Sequence, residues 1–142
     1  MKLVTYLNYG GNCKQAFEFY RQHLGAKVGM MMTFAQMPGS QQPPPGLRED
    51  SVLHARMEIA STKIMASDAP ADRHQPMRSA YLSLNVDDSA EAERIHKVLS
   101  DGGEVFMPME ETFFAHRFSM LRDKFGVSWM IIHEKPMGPP SQ

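Results

Sequence analysis

One cysteine stands in the whole chain of 142 residues, so neither an internal disulfide nor a cysteine-only metal site can form. The expected setting is a reducing one, the cytoplasm. Long apolar runs are missing as well. None approaches the roughly 18 residues that a membrane span needs, and Met1-Lys2-Leu3-Val4-Thr5 meets Asn8 and Gly10 before a signal-peptide core could form. Charge of one sign is also scarce. The 15 Lys and Arg face 16 Asp and Glu, and no like-charged block offers a polyanion a foothold, so nucleic acid is not an expected partner. No G-x-G occurs, which removes the glycine-rich cofactor loop of a doubly wound sheet. What is present is a hydrophobic content of 42%, enough to build the core of one domain, expected over residues 1–135.

The order of elements repeats. Leu3 to Tyr9 is β-rich, and Gly10-Gly11 followed by Asn12 marks a turn and a helix N-cap. Cys13, Phe17, Tyr20 and Leu24 recur at steps of four, three and four, one helical stripe, and Gly25 stops the helix. Strands are expected over Lys27–Phe34, Val52–Ile59 and Ile64–Ser67. A second βαβββ run follows. Ser79–Val86 leads to Asp88 and Glu91, spaced as a capping box, then to a helix with the stripe Ala92, Ile95 and Leu99. Gly102-Gly103 ends it, and strands are expected near Glu104–Met107, Arg117–Arg122 and Val127–His133. A shift of 77 residues lays Leu7-Asn8 on Leu84-Asn85 and Val28 on Val105; shifts of 62 and 65 lay His54 on His116 and Met65 on Met130. The fold class is therefore α+β, two βαβββ units over about 1–68 and 78–135 that share a core.

Residues 35–51 hold Pro38, Pro43, Pro44 and Pro45 with two glycines, so this segment is a lid or a disordered loop, and residues 136–142 read as a flexible tail. Among the 13 methionines, Met30-Met31-Met32 alternate between the faces of a strand and cannot converge on one Cu(I); they suit adaptable packing. Cys13 lies at a helix start, where a thiolate is favoured. Its place on the apolar stripe reads instead as core. His23, His74, His96 and His133 show no metal spacing and read as surface or helix-end residues.

Several stretches carry a family likeness: Tyr6-Leu7-Asn8, Gly11-Asn12-Cys13, Ala16-Phe17-Glu18-Phe19-Tyr20, His54-Ala55, Met65-Ala66-Ser67-Asp68, Ser83-Leu84-Asn85-Val86-Asp87, Glu111-Thr112-Phe113, and Asp123-Lys124-Phe125-Gly126-Val127 with Trp129-Met130. Across nearly the whole chain they resemble the vicinal oxygen chelate superfamily of glyoxalase I, bleomycin-resistance proteins and extradiol dioxygenases. More narrowly, they resemble its PhnB-like branch, whose members are often labelled 3-demethylubiquinone-9 3-methyltransferase domains. The resemblance implies a cup-shaped sheet and a homodimer. In metal-dependent relatives four ligands project from the first and fourth strands of each unit, and those positions fall here on Val4, Met65, Tyr81 and Met130. None is a usual donor for a hard or borderline divalent ion, so no metal and no cofactor is expected, and neither glyoxalase I nor methyltransferase activity follows.

With those four positions pointing into the cup, alternation sends Tyr6, Asn8, Ser67, Ser83, Asn85 and Ser128 there too, and Leu3, Leu7, Ile64, Leu82, Leu84, Val86, Trp129 and Ile131 to the opposite face. The cup so drawn is free of fixed charge and suits a neutral or aromatic small molecule. Its expected ligand-binding residues are Tyr6, Asn8, Met65, Ser67, Tyr81, Ser83, Asn85, Phe113, Phe114, Arg117 and Met130. The alternative is an enzyme, a lyase, isomerase or dioxygenase-like catalyst with a displaced metal site. His54, His116, Glu58 and Glu111 are its candidate catalytic residues. His54 shares its strand face with Arg56 and Glu58, where a local ion pair is a competing structural use. A third reading is a drug-sequestering resistance protein.

Overall fold

The computed structural model describes residues 1–39 and 42–136, so the tail from 137 onward lies outside the described residues. Two compact units divide near Gln75 and Pro76. The first holds β1 (Thr5–Tyr9), α1 (Cys13–Leu24), β2 (Lys27–Thr33), β3 (Val52–Ile59) and β4 (Thr62–Asp68); the second holds β5 (Leu82–Asn85), α2 (Ser89–Ser100), β6 (Glu104–Glu110), β7 (Ala115–Arg122) and β8 (Ser128–Glu134). Each unit has its own four-stranded mixed sheet, in the orders β1-β4-β3-β2 and β5-β8-β7-β6. The outer pair β1/β4 is parallel, as is β5/β8, and the remaining pairs are antiparallel.

Strand alternation explains which face each helix covers. In the first unit Leu7, Tyr9, Ala55, Met57, Ile59, Ile64 and Ala66 are buried under α1, whose own buried side chains are Cys13, Ala16, Phe17 and Tyr20. Gly25 takes the left-handed conformation at the helix end, φ 68°. In the second unit Leu121, Trp129 and Ile131 meet Ala92, Ile95 and Leu99 of α2. Leu82, Leu84 and Val86 are only half-buried, and Leu3 is fully exposed ahead of β1.

The two helix starts depart from the sequence reading. Asn12 makes no cap hydrogen bond; the buried carboxylate of Asp68 does the work from the far end of β4, its Oδ1 accepting from the Gly11 and Cys13 N–H groups at 3.1 and 3.0 Å. At α2, Asp88 does accept from Ala90 N–H at 2.8 Å, but Glu91 pairs with Arg94 rather than closing the box. The reciprocal box forms elsewhere, between Thr33 and Gln36 on a short 3-10 turn over Phe34–Gln36 that opens the proline-rich segment. That segment is tied at its base by Phe34 N–H to Ser51 O and Ala35 N–H to Glu49 O.

The registers correct one superposition. Tyr6 faces Met65 as Ser83 faces Met130, which upholds the shifts of 77 and 65. Met65 faces Arg56, however, and Met130 faces Met120, so β3 lies on β7 with a shift of 64, not 62. The counterpart of His54 is Phe118. The register shift between Ala115 and Arg117 displaces His116 from the ladder.

His96 is not a surface histidine. Half-buried between α2 and β7, its Nδ1 lies 2.9 Å from Ser119 Oγ. Burial pushes its pKa below the ordinary histidine value, against a smaller opposing pull from Glu93. A lowered folded-state pKa contributes stability above the unfolded-state value of about 6.5 that is lost as pH falls through the folded one. Urea midpoints should therefore drop between pH 7.5 and 5.5, and His96→Gln should reduce that drop.

Candidate functional site

The sheet face away from α1 carries the polar set. Tyr6, Asn8, His54, Arg56, Glu58, Met65 and Ser67 share it, since Tyr6 pairs in register with Met65, Met65 with Arg56, and Asn8 with Ser67. From β2, Met30 and Met32 join them opposite Arg56 and His54, while Met31 lies opposite Ala55 on the buried side. The methionines thus divide as alternation predicts. Tyr6 is 48% exposed, stacks on the His54 ring at 5.9 Å with an interplanar angle of 27°, and has its hydroxyl 3.4 Å from His54 Nδ1. Ser67 Oγ donates to Asn8 Oδ1 at 3.3 Å.

A cavity of about 360 Å³ opens at one end of this face, lined among others by Lys2, Val4, Gly29, Arg56, Glu58, Lys63 and Met65. This corrects the expectation of a face without fixed charge. That expectation drew only on the first and fourth strands and began β4 at Ile64, so it omitted Lys63 and the charges of β3. Arg56 and Glu58 form no ion pair among the described residues, although they are two apart on one strand. Gly29, an isolated glycine within a strand, was the available signal for this spot, because it marks the bulge between Val28 and Met30.

The second unit gathers the other candidates differently. Ser83 Oγ donates to Asn85 Oδ1 at 2.8 Å, and Asn85 Nδ2 to Glu134 at 2.8 Å. Met130 and Phe114 pack on a cluster of Ala115, Phe118 and Ile132; Phe113 is 90% exposed and meets Phe114 edge-on. Tyr81 accepts from Arg78 at 2.9 Å. Ser128 is buried, donating to Met77 O. Arg117 lies in register with His133, on the helix side, and pairs with Glu93 of α2 at 2.9 Å. His116 packs against His133 at 4.7 Å, and His133 bonds Ser89 at the start of α2. Glu111 is held by Lys135 at 2.7 Å, which lowers its pKa. Of the four candidate catalytic groups, then, His54 and Glu58 share the first unit's open face, whereas His116 and Glu111 each have a partner in the second.

The metal of metal-dependent relatives does not fit. The positions that hold a metal in relatives carry an aliphatic, two thioethers and a phenol, and among the described residues no three of His, Cys, Asp or Glu converge. The Gly10-Gly11 turn ahead of α1 could suggest a phosphate cradle, but its Gly11 and Cys13 N–H groups are committed to Asp68. Cys13 is fully buried, and its pKa is raised by burial first and by Asp68 second, so the core reading stands.

The family model described as 3-demethylubiquinone-9 3-methyltransferase matches residues 1–132. This chain belongs to that family. It is a PhnB-like member with the vicinal oxygen chelate fold. Among its relatives, protein YjdN of Escherichia coli K12 is 36% identical over 138 residues, covering 92% of this chain and 94% of YjdN. The crystal structure of protein PA1353 from Pseudomonas aeruginosa is 39% identical with a TM-score of 0.82, covering 96% of this chain and 99% of that one. A PhnB protein from Bacillus cereus, under the same methyltransferase heading, has a TM-score of 0.78 over 94% of this chain and 99% of its own; at 23% identity it bears on the fold alone. Among the described residues of this PhnB-like chain, no helix is long and apolar enough to cross a membrane.

Proposed function

We propose that this PhnB-like protein binds an aromatic small molecule on the open face of its first unit, without the metal of metal-dependent relatives. It works as a homodimer, as relatives of this fold commonly do, in the cytoplasm, where its lone buried thiol needs no oxidising partner. The observation that carries the reading is the exposed Tyr6–His54 stack bordered by Met32 and Met65. A planar ligand extends such a stack, and thioethers adapt to its edge at little entropic cost. Asn8 and Ser67 give hydrogen-bonding groups beside the ring. The probe is neutral 2-naphthamide, followed by the methyl resonances of Met32 and Met65. Saturable shifts are expected, and the double variant Tyr6→Ala/His54→Ala should weaken binding about tenfold, the worth of one aromatic contact of about 1.4 kcal/mol. A flat titration, or shifts confined to the second unit, contradicts the proposal.

A further inference from the structure

We infer that the cavity beside Gly29 seats a compact oxyanion, so that the ligand of this face is an aromatic acid. The inference rests on the reading above and adds the ligand's charge. Three cations, Lys2, Arg56 and Lys63, line the cavity against the single carboxylate of Glu58. Glu58 already lies in register between two lysines, Lys27 on β2 and Lys63 on β4, while Arg56 and Lys2 make no ion pair among the described residues. A guanidinium at a concave wall is well shaped to take a carboxylate through two parallel hydrogen bonds.

The internal repeat supplies the second argument. Both units bulge at the same place, between Val28 and Met30 and between Val105 and Met107, so Gly29 is the counterpart of Phe106, and the shift of 77 makes Val4 the counterpart of Tyr81. In the second unit that space is filled and its cations are satisfied internally. Phe106 lies edge-on to Tyr81, the Arg78 guanidinium sits 3.9 Å above the Phe106 ring, and Arg122 pairs with Glu104 at 3.0 Å. In the first unit a Cβ on Gly29 would meet nothing within 4 Å, and the charges are left facing an open space of about 360 Å³, within the range of small-ligand pockets. One copy of the fold thus closes on itself and the other stays open and positive.

The cavity also continues the stacking face. Met65 lines it and stands in one cross-strand row between Tyr6 and Arg56. Two strand spacings separate the outer members of that row, roughly 10 Å, which a bicyclic aromatic acid can span.

The test compares 2-naphthoate with neutral 2-naphthamide by Met65 methyl shifts at low and high NaCl. Naphthoate should bind about tenfold more tightly, with the advantage shrinking at high salt. Arg56→Gln should remove most of that advantage. Gly29→Phe, which copies the second unit, should exclude naphthoate. Equal affinities for the two probes, unaltered by Arg56→Gln, overturn this inference while leaving the stacking face intact. If neither probe shifts Met65, both the inference and the reading beneath it fail.

Discussion

Asp68→Ala is expected to destabilise the first unit by about 3–5 kcal/mol, since two buried backbone donors and one part-buried donor each lose a charged acceptor. Oδ1 takes the N–H groups of Gly11 and Cys13, and Oδ2 takes that of Val52 at 2.8 Å. One carboxylate, 6% exposed, therefore joins the end of β4 to the start of α1 and the start of β3. The backbone donors cannot turn to water without unwinding the helix start or opening the strand end. Asp68→Asn should recover only part of the loss, because one oxygen remains while the new amide brings its own N–H toward donors. Urea unfolding measures both; a loss below about 1 kcal/mol for alanine would show that the clasp contributes little.

Gly103→Ala is expected to cost about 3 kcal/mol, at the upper end of the usual overpacking penalty. A Cβ there would lie 2.2 Å from the Arg122 carbonyl oxygen and 3.1 Å from the Asp123 Cα, both backbone atoms that cannot rotate away. The repeat provides the control. By the shift of 77 the matching residue of the first unit is Ala26, buried with its Cβ in place. The difference follows from the connections ahead. β3 and β4 are joined by Ala60-Ser61 alone, whereas the turn between β7 and β8 runs through Asp123 to Val127, with the Asp123 carboxylate accepting from Phe125, Val127 and the Trp129 indole. That knot brings backbone against Gly103. Thermal unfolding of Gly103→Ala beside Ala26→Gly separates this steric effect from a general sensitivity to glycine and alanine exchange.

What could be read in the sequence was whatever obeys a short period. The stripe Cys13, Phe17, Tyr20 and the stripe Ala92, Ile95, Leu99 are buried as the helical period requires, and Tyr6/Asn8 part from Leu7/Tyr9 by strand alternation. The shift of 77 survived because no insertion separates β1 from β2 or β5 from β6 in one copy relative to the other. What could not be read depends on contacts distant in sequence or on irregular backbone. Nothing local says that Asp68, rather than Asn12, answers the first helix. The register of β7 on β8 carries no marker residue, yet it decides that Arg117 meets α2 and that Phe118, not His116, matches His54. Ala60-Ser61 turn the chain at φ 49° and 69°, conformations for which Gly or Asn would have been the signal. On the candidate face, the aromatic and amide groups were visible in β1 and β4. Arg56 was read only as a strand neighbour of His54 and Lys63 not at all, because the register of β3 and the bulge at Gly29 bring them to this face.

The most direct test of the account is the affinity of 2-naphthoate for protein dialysed against EDTA, beside protein then loaded with one equivalent of Mn(II) or Zn(II). A face built from a tyrosine, a histidine, thioethers and an arginine predicts the same dissociation constant in all samples and no divalent ion retained by the chain. Binding abolished by EDTA and restored by the metal, with one ion held per chain, would contradict it.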